Sequence, residues 1–356
     1  TGEYRGGPSY YIEHGLGMKW FAVIFAVVAV FSCGLLMPGI QSNSIANACA
    51  KGFNMSTLTS GILVTALMAL VIFGGAKRIG RVAELVVPFM ALAYIIMSII
   101  IIIVDIRRVP EVLRLIFASA FGADGLFGGI VGSAIAWGVK RGIYSNEAGQ
   151  GTGPQAAAAA EVAHPAQQGL VQAFSVYVDT LGVCSATGLM LLLTDKYNVT
   201  GGSGALLKNN LPGVEHGPQY TQAAVDTIFP GFGSGFVAIA LFFFAFTTIM
   251  AYAYYAESNM AYLVRGRASK MFINVIRLGL LVMVFYGAIR EADLMWAMGD
   301  IGVGLMAWLN LIAILALSGV GFKVLKDYER QIKNGGSLSF EPEKLGVRNT
   351  ESWGKD

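Results

Sequence analysis

Long apolar runs recur along this chain with short polar breaks between them, and that repetition limits everything else it can fold into. Crossing a bilayer takes about 20 residues at a rise of about 1.5 Å each. Stretches of that kind run from about Trp20 to Ala46, Leu58 to Gly75, Ala83 to Val104, Leu126 to Ile143, Leu170 to Leu193, Gly235 to Met260, Phe272 to Ile289 and Leu294 to Ser318. They predict an all-α polytopic membrane protein of about eight spans. The segment from Val109 to Phe121 is too short to cross and reads as an interfacial or re-entrant helix. A polar loop from Thr194 to Gln222 follows the fifth span, and Ala223 to Phe232 is expected to fold back into the protein. Only 13% of the residues are charged and 55% are hydrophobic. That is about half the charge of a soluble domain, which excludes an ordinary cytosolic enzyme and a disordered chain. Cys33, Cys49 and Cys184 imply no disulfide framework, and His14, His164 and His216 are too scattered for a histidine metal site. The net charge of +3 says nothing for nucleic acid.

The polar start, Thr1 to Pro8, reads as a loop; a signal peptide would show a basic start and a short apolar core. It does not begin with Met, so the chain is expected to be a piece of a longer polytopic protein. With eight spans both ends share one side, and 17 of the 25 Lys and Arg fall on that side against 7 on the other. Basic loops mark the cytoplasmic face. The expected organisation is a cytoplasmic loop over 1–19, a transmembrane domain over 20–321 and a cytoplasmic tail over 322–356.

Polar groups at membrane depth each need a reason. Pro38-Gly39 breaks the first span, and Gln41, Ser42, Asn43, Ser44 and Asn47 cluster behind it, as a site or as the fraying end of a helix. The fourth span carries Gly125, Gly128, Gly129, Gly132 and Gly138 with Ser133 and Trp137, which suits either tight packing or an unwound segment with an aromatic wall. In the sixth span the adjacent hydroxyls of Thr247 and Thr248 suit a hard cation such as Na⁺, or bond back to their own helix. Tyr252 lies one turn beyond Thr248 on the same face. Asp179 and Asp300 are expected to be structural partners of Arg277 or Lys140, and Glu257 reads as a surface or loop-pairing charge. Asn146 and Glu147 are expected to tie the following loop to neighbouring helix ends. Gly149-x-Gly151 lacks the preceding strand and the Lys-Ser/Thr pair of a phosphate cradle.

The run Ser145-Asn-Glu-Ala-Gly-Gln-Gly-Thr-Gly-Pro154 followed by alanines resembles the signature of the alanine or glycine:cation symporter family. Gly6-Gly-Pro-Ser-Tyr-Tyr-Ile-Glu13, Gln41-Ser-Asn-Ser44 and Phe246-Thr-Thr-Ile249 with Tyr254-Tyr255 are similar to further segments of that family, in the same order. The resemblance covers nearly the whole chain. It implies a LeuT-type inverted-repeat fold in which the eight spans are core helices three to ten, and core helices one and two, which precede Thr1, are missing. By the same resemblance the glycine-rich fourth span is the second broken helix. Gln41, Thr248 and Tyr252 fall at substrate-contact positions with Trp137 beside another, and Thr247 and Thr248 match a sodium site. Tyr252 stands where relatives often have Trp, and Gly153 where Ala is usual.

The implied activity is secondary active symport of alanine or glycine with Na⁺ across the plasma membrane by alternating access, with no organic cofactor and no enzymatic step. The nearest alternative is a proton-coupled transporter of another small amino acid. The lipid bilayer, the amino acid and the sodium ion are the expected partners. This chain alone, lacking the first broken helix, is expected not to transport. The dispersed histidines argue against a membrane enzyme, and nothing repeats like a filter loop of a channel.

Overall fold

Proline and glycine set where the helices begin and bend. The computed structural model describes residues 5–347 apart from 75, 122–127, 201–205, 215, 265, 267 and 336, together with 350 and 353; for 76–87 and 128–134 it describes the backbone. The expectations placed on Thr1 to Tyr4, Gly125 and Gly201 to Gly204 lie outside the described residues.

In chain order the helices are α1 (Pro8–Leu16), α2 (Lys19–Phe31), α3 (Pro38–Phe53), α4 (Thr57–Ile72), α5 (Ala76–Val104), α6 (Val109–Phe121) and α7 (Gly128–Asn146). They continue as α8 (Gly153–Ala157), α9 (Pro165–Tyr177), α10 (Ser185–Thr194), α11 (Pro218–Ile228), α12 (Gly233–Leu263), α13 (Ala268–Ala288) and α14 (Ala292–Lys333). Among the described residues the strands are β1 (Asn198–Thr200) and β2 (Leu206–Asn209), an antiparallel pair with Asn198 opposite Asn209.

Among the described residues five helical stretches are long and apolar enough to cross a bilayer, six if the bent pair Pro88–Val104 and Ile106–Phe121, at 76°, counts as one. The two other expected spans are also helical: α4 with 16 residues and α7 with 19. The first span runs through Lys19–Phe53 as 35 residues with a π-turn, Ser32–Leu36, in its middle. Pro38 has no N–H to give the preceding turn, and the Met37 N–H reaches back five residues to the Ser32 carbonyl at 2.9 Å. A second π-turn, Val178–Cys184, joins α9 to α10 within one 30-residue stretch.

Two segments differ from expectation. Residues 5–7 are not helical, but the loop expected over 1–19 turns helical at Pro8, because Pro occupies the first helical position and Ser9 and Ile12 bury against the bundle. The tail does not leave the helix at Phe322, since α14 continues through Lys323 to Lys333, a stretch of good helix formers with an Asp327–Arg330 pair one turn apart. The extension meets α9 at His164, which is fully buried. His164 caps α9: its Nδ1 accepts from the Ala166 N–H at 3.2 Å, which leaves the hydrogen on Nε2, 3.4 Å from Asp327 Oδ2.

Helix α12 is the hub, packing on α2, α3, α5, α11 and α13. Phe25, Met37, Tyr252 and Met306 form one cluster; Ile45, Met68, Ile249 and Val284 a second; Met97, Ile101, Met190 and Val237 a third. Helix α11 covers the end of α3, where Gln222 Nε2 donates to the Ala48 and Ser234 carbonyls, each at 2.9 Å. The segment expected to fold back, Ala223 to Phe232, overlaps the second half of this helix, where Ala224 and Val225 are buried.

Helices α3 and α13 touch backbone to backbone: a Cβ on Gly287 would overlap the Gly39 main chain. Asn43 Nδ2 donates to the Gly287 carbonyl at 3.0 Å and the Arg290 carbonyl at 2.6 Å, closing the end of α13. Gly287→Val therefore forces the two helices apart. It is expected to lower stability by about 1–3 kcal/mol, read as an earlier unfolding transition in detergent.

The hairpin is tied down outside the spans by Asp195, which accepts from Arg108 at 2.6 Å and Lys208 at 3.2 Å. Partial burial alone raises its carboxyl, but the hydrogen bonds from Arg108 and Lys208 outweigh that and hold it below the usual carboxylate range. A lowered folded value means the tie contributes at all pH above the ordinary Asp range and is lost as pH falls through the lowered value. Amide exchange in 198–209 is expected to stay slow down to about pH 4 and to accelerate below it.

Candidate functional site

Helix α7 runs unbroken past Gly132 and Gly138, so the interruption expected there lies elsewhere. It falls at Glu147–Thr152, between α7 and α8. Glu147 has φ 57, Gly149 φ 79 and Gly151 φ 97, all left-handed. At Gly151 the requirement is steric as well: a Cβ would stand 2.9 Å from both Phe25 and Pro8.

Such a break frees carbonyls that water cannot reach, and they must find protein donors. Asn310 on α14 donates Nδ2 to the Gly149 carbonyl at 2.8 Å, and Tyr11 on α1 donates its hydroxyl to Asn310 Oδ1. Gln155 Nε2 donates to the Gly151 carbonyl at 3.1 Å. Asn259 on α12 holds that glutamine, donating Nδ2 to Gln155 Oε1 and to the Tyr255 carbonyl, each at 2.8 Å, while it accepts from Ser9. Gln150, Thr152, Gln155, Asn259 and Asn310 are all buried.

Beside the break, Tyr144 and Tyr252 pack in one cluster with Met37, which Gln150 touches. Tyr252 is fully buried on α12, with Gln41 of α3 and Tyr144 of α7 as neighbours of its side chain. Gln150 points its Nε2 at Met37 Sδ, 3.9 Å away. Three buried polar atoms here have no hydrogen-bond partner: Tyr144 Oη, Gln150 Oε1 and Thr152 Oγ1. Leaving a buried polar atom unpaired costs about 1–3 kcal/mol, so a group of them beside a helix break makes this the candidate site among the described residues.

Charges close one side of this interior. Asp300 on α14 pairs with Lys140 at 2.5 Å and with Arg141. The Arg141 guanidinium lies 4.4 Å from the Trp296 ring centre and 5.5 Å from that of Tyr144. Asp300 thus takes the lysine partner expected of it. Arg277 pairs instead with Glu257, at 2.7 and 2.8 Å, so Glu257 is a buried partner within the bundle and not a surface charge.

The residues singled out in the sequence divide. Gln41 and Tyr252 come together. Thr248 stands one turn from Tyr252 on the same face; its hydroxyl donates to the Phe244 carbonyl at 2.9 Å, and that of Thr247 to the Phe243 carbonyl at 2.9 Å. Those bonds use the hydroxyl hydrogens and leave oxygen lone pairs free. Trp137 is 58% exposed, with Lys140 Nζ 4.9 Å over its ring, and does not line the buried interior. Asn146 ties the loop as expected, donating to Thr180 Oγ1 at 2.9 Å, and the Glu147 backbone joins it to the end of α7, its N–H donating to the Ile143 carbonyl and its carbonyl accepting from the Gln150 N–H, each at 3.1 Å. Tyr144, Gln155, Asn259 and Asn310 were not anticipated. For the two asparagines the signal is their place in long apolar helices.

A family model described as the sodium:alanine symporter family matches residues 1–342. The chain belongs to the sodium:alanine symporter family. It is 57% identical over its whole length to the putative sodium/proton-dependent alanine carrier protein YrbD of Bacillus subtilis, covering 73% of that protein. It is 55% identical to the sodium/proton-dependent alanine carrier protein of Bacillus sp. PS3, over 91% of this chain and 73% of that protein. It is 38% identical to the sodium/alanine symporter AgcS of Methanococcus maripaludis, over 94% of this chain and 71% of that protein. As a member of the sodium:alanine symporter family the chain is a membrane transporter and not an enzyme.

Asn310→Ala strips the donor from the Gly149 carbonyl and the acceptor from Tyr11. It is expected to cost about 1–3 kcal/mol of stability and to speed amide exchange at 147–152 ahead of the rest of α7, as read by mass spectrometry.

Proposed function

We propose that the chain carries alanine, or glycine, inward across the plasma membrane together with Na⁺ by alternating access. The observation that carries this reading is the helix break at Glu147–Thr152 facing Gln41, Tyr252 and three unpartnered buried polar atoms. A small zwitterion needs acceptors for its ammonium and donors for its carboxylate, in a cavity that excludes larger side chains. Gln41 offers both, and the Tyr144 and Tyr252 hydroxyls add two more groups. The names of the relatives support alanine and a sodium or proton partner.

In this reading the fold is the LeuT-type inverted repeat. Eight spans serve as core helices three to ten over 20–321, between a cytoplasmic loop over 1–19 and a cytoplasmic tail over 322–356. Two features support it: the π-turn and Pro38 in the first span, and the break after α7, since interrupted helices build transporter sites. Thr247 and Thr248 supply hydroxyl oxygens to Na⁺, and Thr248 shares its face with Tyr252, which couples ion and substrate. Trp137 acts from outside the pocket in this reading, as the aromatic shelf for Lys140 beside the Asp300 ion pair. The bundle rocks, and the sodium gradient with the membrane potential supplies about 2.3 kcal/mol per charge per 100 mV.

The test is uptake of labelled alanine by the full-length gene product in liposomes. Replacing Na⁺ by choline is expected to reduce uptake about tenfold or more. Thr248→Ala is expected to raise the Na⁺ concentration for half-maximal uptake about tenfold. An unchanged sodium curve would remove Thr248 from the ion site.

A further inference from the structure

Helix α9 buries none of its own residues, yet the residue directly before it, His164, is fully buried. The far end of α14 and the chain that turns back from it cover the imidazole. Asp327 Oδ2 stands 3.4 Å from Nε2, the Tyr328 ring centre lies 5.2 Å from that of His164, and Phe340 meets the imidazole edge-on, also at 5.2 Å. Phe340 is itself buried, with Trp353 edge-on against it at 5.2 Å. Gln331 ties the returning chain down: its Nε2 donates to the Ser339 carbonyl at 2.8 Å, and its Oε1 accepts from the Ser339 N–H at 2.9 Å. The same Nε2 donates to Asp327 Oδ2 at 2.7 Å, so one amide joins the tail to the acid that meets His164.

The returning chain is not packed along its whole underside. A cleft of about 260 Å³ lies between it and α14, lined by Asp327, Arg330, Gln331, Ser339, Glu341 and Lys344. Where contact is incomplete, lifting the segment forfeits few packed atoms, and such segments open at low cost.

What this segment holds leads to the helix break. The chain leaves the break through α8 and reaches His164 seven positions after α8 ends. Among the described residues α9 packs chiefly on α8, on α14 and on its own continuation, where Thr180 accepts from Asn146 at 2.9 Å. Helix α9 is thus tied at its start to α14 and beyond its end to α7, the helix that the break terminates. Alternating access has to move the arms of the break against α14, and every such movement strains the fastening at His164.

We propose that residues 337–347, with Trp353, are a restraining strap: closed over His164, it pins the start of α9 to α14 and slows the conformational step that limits transport. With the Phe340 ring withdrawn, water reaches the imidazole, the bond to Asp327 weakens, and α9 is free to follow the break. The inference rests on the symport reading above and adds to it a control of rate. It assigns no ligand and no coupling ion.

Initial uptake of labelled alanine by the full-length gene product in liposomes, per transporter and at saturating alanine and Na⁺, tests it. Phe340→Ala is expected to raise that rate about threefold, with alanine affinity in detergent unchanged, while Phe340→Tyr keeps the ring and the wild-type rate. A merely structural role would lower the rate together with stability, so a gain is the result that damage to the fold does not imitate. In the same variant, amide exchange at 164–170 is expected to accelerate while 185–194 keeps its protection. A Phe340→Ala rate at or below that of the wild type overturns the proposal and leaves the symport reading standing; so does unchanged exchange at 164–170. No alanine uptake by the wild type sinks both. Should Phe340→Ala fail to fold, Gln331→Ala, which releases Ser339, decides by the same two measurements.

Discussion

Hydrocarbon offers no partner to a peptide group, and the interior of this protein is organised by that fact. A continuous helix satisfies itself. Once α7 stops at Asn146, the carbonyls of Gly149 and Gly151 have to be met by side chains, and the side chains that meet them are amides. Two relays do this. One runs from Tyr11 through Asn310 to Gly149, the other from Ser9 through Asn259 and Gln155 to Gly151. Each begins on α1, so the short helix that opens the chain is joined to the break through both α12 and α14. The break is thereby as well defined as the helices around it. A loose segment would not hold its neighbours Tyr144 and Tyr252 in one arrangement.

Charge follows the same rule. A carboxylate removed from water needs a cation or a hydrogen, and Asp300 and Glu257 take cations. Removing one partner of such a pair strands the other, so these ion pairs fix the relative placement of α7, α12, α13 and α14 more than they add to stability. The aromatic faces of Trp296 and Tyr144 on the Arg141 guanidinium extend the effect from a single contact to a layer between α7 and α14.

The long helices were legible because each apolar run is itself the cause of the helix: about 20 residues that lipid accepts. The ends of elements were not. Residues 323–333 are polar, which reads as a solvated tail, yet they are also good helix formers continuing an existing helix, and elongation costs little once a helix has nucleated. The break was misplaced for a related reason. Gly132 and Gly138 sit in a helix whose geometry tolerates them, whereas Gly149 and Gly151 interrupt it because of φ and because Asn310, some 161 positions away, is there to receive the freed carbonyl. No local pattern contains that partner. Gln41 and Tyr252 stand out in the sequence because polar groups inside an apolar run are conspicuous. Trp137 stands exposed beneath Lys140, and an aromatic residue beside glycines looks the same from sequence whether it faces a cavity or supports a lysine at the edge.

Helix α14 has a consequence of its own. It is unbroken over 42 residues and carries Asp300, Asn310 and Asp327 in order along its length. These meet the ion pair on α7, the carbonyl of Gly149 and the imidazole that caps α9. The 27 positions from Asp300 to Asp327 span about 40 Å at the helical rise, more than the thickness of the hydrocarbon layer. A straight rod fastened at three such levels acts as a crossbar. Tilting it displaces all three fastenings together, so an event at one membrane face is felt at the other without any relay of small shifts through the core.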